Sequence, residues 1–343
     1  MKRSFWISSI FAVLVMSCAL YAQSSEELMS SGNEMLSRGA FDQAVTQFKK
    51  IVSREPRNFE AQYNLAFAYL GWGRHSTAVE EFRKAISLRP NSSHAWGNLA
   101  IAYENMGKNN DAINALSNAV KYDPSNFTAR VNLASMYANT GKNNQAINEY
   151  MSIVKSGHRE SGVMLNLAKC LITANRNDEA KNYLHEAVAA DPNNVEARYE
   201  LADIFWKKDK DPAKAMQELK LAINVRPDVG GLYDQLANIL EEQGKKPEAI
   251  EQLKKSLVYT TDVLAKERIQ ARIDRLEGKN VKQTTGSTPA PQMQQMKREE
   301  DNSASSRRAP PPKPVKVDFG NLIDDEEDTK SDDPMGDLMK KKK

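Results

Sequence analysis

The sequence predicts an all-α protein, a stack of helix pairs repeating every 34 residues, and three observations predict it. Prolines at 56, 90 and 124 lie 34 apart, and the next, at 192, lies two periods on, with His158 in the slot between. Small residues keep the same ruler at Gly32, Ala66, Ala100, Ala134, Ala168, Ala202 and Ala237, and alanines do so again at Ala44, Ala78, Ala112, Ala146, Ala180, Ala215 and Ala249. Leucines precede the first column at Leu65, Leu99, Leu133, Leu167, Leu201 and Leu236. Self-similarity at such a period marks an array of repeats, each needing its neighbour to bury its apolar face.

The elements of one unit follow from the side chains. Leu65, Ala66 and Tyr69 fall on one stripe of a first helix, and Ala78, Phe82 and Ala85 on one stripe of a second. Where Ala66 faces Ala78, the lack of bulk lets the backbones approach, while Tyr69 and Phe82 fill the surrounding volume. Gly39, Gly73, Gly107, Gly141 and Gly244 stand where each first helix must end, a place that favours left-handed backbone, and Asn175 takes that slot in the fifth unit. The prolines close the second helices because they cannot continue them. At the fourth junction, where His158 replaces proline, Gly157 supplies the stop. The sixth unit carries one extra residue around "KKDKDP", in the turn between its helices, where an insertion is tolerated.

These columns resemble the tetratricopeptide repeat (TPR), a helix–turn–helix unit of 34 residues. The third unit carries the likeness best, with Trp96, Leu99, Ala100, Tyr103, Ala112, Ala119 and Pro124 at the family's Trp, Leu, small, Tyr, Ala, Ala and Pro positions. The resemblance covers about 25–262 as seven units, beginning near Ser25, Phe59, Ser93, Phe127, Ser161, Val195 and Gly230. It implies a right-handed α-solenoid with a concave groove lined by the first helices. A helix over Val263 to Glu277, with Ala265, Ile269, Ile273 and Leu276 on one stripe and charged residues elsewhere, reads as the cap that ends such an array.

The ends read differently. Residues 1–22, with Lys2 and Arg3 before an apolar run from Phe5 to Met16, have the order of a secretory signal cut after Ala22, so the array at 23–277 is expected to be exported to the periplasm or cell envelope. A rival route runs through "VMSC", which makes Cys18 a lipidated first residue, as in bacterial lipoproteins; it is the one means of membrane attachment expected besides the signal itself. From 278 to 343 the repeat gives way to Pro, Ser, Gln and charge, a composition that cannot bury enough surface to offset chain entropy, and a disordered tail is expected. Its basic part could lie in the chain's own groove, and "VKVDFGNLID" is its one stretch with docking character.

The chemistry that the sequence withholds is equally informative. The 343 residues carry 48 Lys and Arg against 45 Asp and Glu, interleaved to a net +3, so no basic face points to nucleic acid. The four histidines and Cys170 show no metal-ligand spacing, no phosphate-cradling glycine loop occurs, and Cys170 sits beside a packed leucine as an inert core thiol. No enzyme, cofactor or metal is expected. Binding remains. Asn64, Asn98, Asn132 and Asn166 each precede the packed leucine, which turns them about 100° from the core stripe. By the resemblance, that face lines the groove, where asparagines can hydrogen-bond an extended peptide. Four such bonds at ~1 kcal/mol each give only about millimolar affinity, so selectivity must come from their neighbours. Tyr63, Phe67 and Ile101 are expected to form an apolar end, and Glu196, Glu200 and Asp203, with Asp234, Glu241 and Glu242, an acidic end relieved by Lys169 and Lys207. The expected partner is a protein or peptide with apolar and basic segments. The expected role is an envelope scaffold; the alternative is a TPR lipoprotein that assists assembly or secretion of an envelope complex.

Overall fold

The computed structural model describes residues 24–279, which fall into two compact units divided after Pro90. The expected signal, Cys18 and nearly all of the expected tail lie outside the described residues. Every regular element among the described residues is helical.

The first unit holds α1 (Ser25–Ser37), α2 (Phe41–Arg54), α3 (Phe59–Gly71) and α4 (His75–Leu88). Ser24 and Glu27 cap α1 reciprocally, each side chain on the other's backbone N–H, and Asn58 caps α3 by accepting from the Ala61 amide at 2.9 Å. The two small columns meet at full burial: Ala44, Ala66 and Ala78 expose nothing, and Gly32 is buried with them. Gly32 departs from alanine for a local reason, since a Cβ there would lie 2.6 Å from the ring of fully buried Phe48.

The second unit holds the remaining repeats as helix pairs: α5 (Ser93–Asn105) with α6 (Asn109–Tyr122), α7 (Phe127–Asn139) with α8 (Asn143–Lys155), and α9 (Ser161–Thr173) with α10 (Asn177–Ala190). They continue as α11 (Val195–Lys207) with α12 (Pro212–Val225), α13 (Gly230–Glu242) with α14 (Lys246–Tyr259), and end in α15 (Val263–Leu276). Each first helix packs on its own second helix, and each second helix on the first helix of the next pair, the arrangement of an α-solenoid of TPR hairpins. Alanines at 112, 134, 146, 168, 180, 202, 215, 237 and 249 are fully buried at these contacts. Between them Tyr150, Leu184, Leu201, Leu219 and Leu253 are equally buried; each leucine so buried contributes ~1.5–3 kcal/mol relative to exposure.

The turns show how sequence exceptions are absorbed. Gly107, Gly141 and Gly244 adopt positive φ after their first helices, and Asn175 does the same at φ 60°. In the lengthened sixth turn Lys210 takes the left-handed role at φ 56°, and the Asp211 amide reaches back to the Phe205 carbonyl at 2.8 Å. Asp211 then caps α12, accepting from the Lys214 amide at 3.1 Å with Pro212 in the first turn. At the junction without proline, Gly157 at φ 99° ends α8, and the His158 ring packs tilted against Phe127 with centroids 4.4 Å apart.

A second repeat-wise device ties the corners down. The carbonyls of Pro124, Pro192 and Pro227 each accept from the side chain six residues on: Arg130 at 3.0 Å, Arg198 at 3.0 Å and Tyr233 at 2.9 Å. Arg130 and Arg198 also pair with Glu149 and Glu218 on the following helices, at 2.9 and 2.8 Å.

Candidate functional site

The asparagine ladder is not uniform in its surroundings. In the first unit, Asn64 on α3 donates to Asn33 Oδ1 on α1 at 3.1 Å, with the Met29 sulfur 3.4 Å away, so this side chain links neighbouring first helices. Tyr63 beside it is half-buried, stacked between Phe59 and Phe67 and edge-on to Phe82. Phe67 is only 3% exposed and therefore contributes packing in place of the open apolar surface expected of it.

In the second unit, Asn98 and Ile101 are half-buried on α5. Asn132, half-buried on α7, has no side-chain hydrogen bond, and Asn166, half-buried on α9, lies near the Tyr150 hydroxyl. Tyr150 shares a 2.9 Å hydrogen bond with Ser135, and burial pushes its phenol up to about 12, so it remains neutral. Burial likewise pushes the Cys170 thiol up to about 11, which keeps it protonated and unreactive at neutral pH.

The acidic positions are brought together on α11 and α13, and most are paired. Lys169 on α9 bonds Glu196 at 2.5 Å; Asp203 pairs with Lys207 at 2.6 Å and accepts from Gln235 at 3.1 Å. Glu242 accepts from the Trp206 indole at 2.5 Å. Arg272 of α15, which sequence reasoning left among the solvating charges of the cap, is the main counter-charge: it bonds Asp234 at 2.9 Å, Glu241 at 2.6 Å and also Asn238. The signal that could have found it is its place four residues before Leu276, one step off the apolar stripe of the cap.

Glu200 stands apart. It occupies the ladder column, is half-buried, and has neither a hydrogen bond nor an ion pair. Burial raises its carboxyl above the ordinary range, Asp203 and Glu196 add to the rise, and Lys169 and Lys207 oppose it. Because the folded state binds this proton more tightly than the unfolded one, stability contributed at this position falls as pH rises from the ordinary carboxylate range through the raised value. Glu200→Gln is therefore expected to raise the melting temperature at pH 7, with the gain shrinking to nothing below the ordinary range. Thermal denaturation of both proteins across pH checks this, and a constant difference would contradict it.

Among the described residues no cluster of His, Cys, Asp and Glu could hold a metal ion, and no helix is long and apolar enough to cross a membrane. What the geometry does provide is a face of first helices cross-linked by polar side chains, with two ladder positions, Asn132 and Glu200, left without partners.

Residues 13–223 match the family model of the cilia and flagella-associated protein 70 C-terminal domain. The chain belongs to this TPR family. No curated protein sequence matches the chain at a significant level. Among solved structures, the C-terminal part of a TPR repeat-containing protein from Cytophaga hutchinsonii has a TM-score of 0.59 at 15% identity, over 70% of this chain and 98% of that one. A TPR protein from Parabacteroides merdae gives 0.51 at 18% identity, over 74% and 99% of the two chains. PilF of Pseudomonas aeruginosa gives 0.50 at 18% identity, over 64% and 100%. These likenesses concern the fold, and they bear on the TPR chain described above through its hairpins alone.

Proposed function

We propose that this TPR chain is a non-enzymatic scaffold of the cell envelope that captures an extended segment of a partner protein along the first-helix face of its second unit. One observation carries the reading: at equivalent positions of the ladder, Asn64 is consumed by its bond to Asn33, whereas Asn132 and Glu200 offer polar atoms that nothing in the protein satisfies. A partner that covers these groups displaces their water and must supply hydrogen bonds or a counter-charge in its place, which selects for partners that can. Asn132 can both donate to and accept from a peptide backbone, and Glu200 adds selection for a basic side chain. The paired acids around it then act as a polar rim whose net charge is small. The leader-like residues 1–22 support export as part of this proposal, and buried Cys170 is the one cysteine among the described residues, so the array there holds no disulfide.

Selection of a random peptide library on the immobilised full chain tests the proposal. Enrichment of peptides that carry Lys or Arg near apolar residues is expected, with affinity reduced roughly tenfold when Asn132→Ala and Glu200→Gln are combined. A selection no richer than the blank support, or a set of peptides bound equally by the double variant, would refute it.

A further inference from the structure

The seam between the last repeat and the cap departs from the seams before it. In the third and fifth repeats a serine at the start of the first helix donates to a carbonyl near the end of the second: Ser93 to Ala119 at 2.9 Å, and Ser161 to Ala187 at 2.8 Å. Each serine hydroxyl also accepts from the capping asparagine of the next repeat, Asn126 at 2.9 Å and Asn194 at 2.8 Å. In the seventh repeat Gly230 replaces the serine, Ser256 replaces the alanine, and Asp262 stands where the next asparagine cap would be. The Ser256 carbonyl is served instead by Thr260, whose hydroxyl donates to it at 2.8 Å.

These exchanges leave a cavity of about 420 Å³, walled by Gly231, Asp234, Ser256, Thr260, Arg268 and Arg272. Its chemistry is unbalanced toward donors. The Ser256 hydroxyl, in a residue 1% exposed, has no hydrogen-bond partner. The α13 N-terminus that forms one edge is uncapped, because Val229 offers no side-chain acceptor, and the Gly230 and Gly231 amides find no backbone acceptor. At Gly231 nothing lies within 4 Å of the direction a side chain would take, so the backbone there is open to approach. Arg268 spends only its Nε, on the Leu264 carbonyl at 3.3 Å. The one acid on the wall, Asp234, is held by Arg272 at 2.9 Å.

We propose that this cavity binds a carboxylate, received by the Gly231 amide, the Ser256 hydroxyl and the free end of the Arg268 guanidinium. A helix-terminal amide and a planar guanidinium suit a carboxylate, and Asp234 disfavours a dianion such as phosphate. Ala265 and Ile269 line the same cavity and offer contact to a short alkyl stem. The site stands independently of peptide capture by the ladder. A carboxylate could come free in solution or as the terminus of a peptide chain.

Amide NMR spectra of the isotope-labelled full chain distinguish these sources, with propionate, acetyl-trialanine, its C-terminal amide and inorganic phosphate as probes. Saturable shifts of the Gly231 signal are expected with propionate or acetyl-trialanine, and none with the amide. Stronger binding of propionate would identify a free carboxylate as the source, and stronger binding of acetyl-trialanine a chain terminus; either supports the site. Arg268→Gln should weaken the response about fivefold or more, and Ser256→Ala should weaken it too while leaving the spectrum of the rest of the array in place. Absence of saturable shifts with both carboxylates, equal binding of the amide or of phosphate, or a response unchanged in both variants would overturn the proposal.

Discussion

Truncating Tyr150 to alanine is expected to destabilise its neighbourhood by ~3–5 kcal/mol, more than any other single truncation of the second unit. Tyr150 is fully buried, and it heads the set of largest side chains that expose no surface. It fills the second-helix column that leucines fill at 184, 219 and 253, so its removal leaves a cavity between tightly packed alanines that cannot collapse onto it. The loss also strands its hydrogen-bond partner Ser135. Tyr150→Phe keeps the ring and removes only the hydroxyl, at a cost of about 0.5–1.5 kcal/mol. In an array whose repeats contact only neighbours, the damage should stay local. Hydrogen exchange should thus show α7 to α10 opening most, while α13 and α14 keep their protection. Uniform loss along the whole chain would contradict this account.

Arg272→Ala is expected to release the cap. The α15 helix buries one side chain well, Ile273, and leaves Val263 and Leu264 two-thirds exposed, so apolar packing alone holds it weakly. A helix of 14 residues is marginal on its own in water. Beside partly buried Ile269 and Leu276 and a Lys254–Glu277 pair at 3.2 Å, the main polar hold is Arg272, itself largely buried, whose guanidinium ties together Asp234, Asn238 and Glu241 of α13. Its removal costs roughly 1–3 kcal/mol and leaves two carboxylates without their counter-charge. Exchange of the α15 amides should accelerate by about tenfold or more, whereas Arg268→Ala, whose one hydrogen bond lies within α15, should change it far less. Equal protection in the Arg272 variant and the parent would show that Ile273 and its neighbours suffice.

The two predictions also locate what the sequence makes legible. Column positions are set by the geometry of close helix approach, and every alanine of the two small columns is buried accordingly. Asn175 could be read as a left-handed stop because its side chain tolerates that backbone; Lys210 could not, because nothing in lysine's chemistry favours it, and the extra residue of the turn imposes it. The site was legible only as a face. That Asn132 and Glu200 remain open while Asn64 is engaged depends on Asn33, 31 residues back in the preceding repeat, at a position whose residue type changes from unit to unit. Likewise Phe67 lies on the groove stripe by helical phase yet is covered by its aromatic neighbours, and Arg272 reaches acids 31 and 38 residues back that local spacing could not couple to it.

Placing a photo-crosslinking residue in the full chain tests the central claim most directly, once at position 132 on the groove face of α7 and once at Asn144, an exposed position of α8. With library-selected peptides as probe, adducts are expected from position 132, abolished by competing unlabelled peptide, and none are expected from position 144. Adducts of equal yield from both positions, or from 144 alone, would contradict capture along the first-helix face.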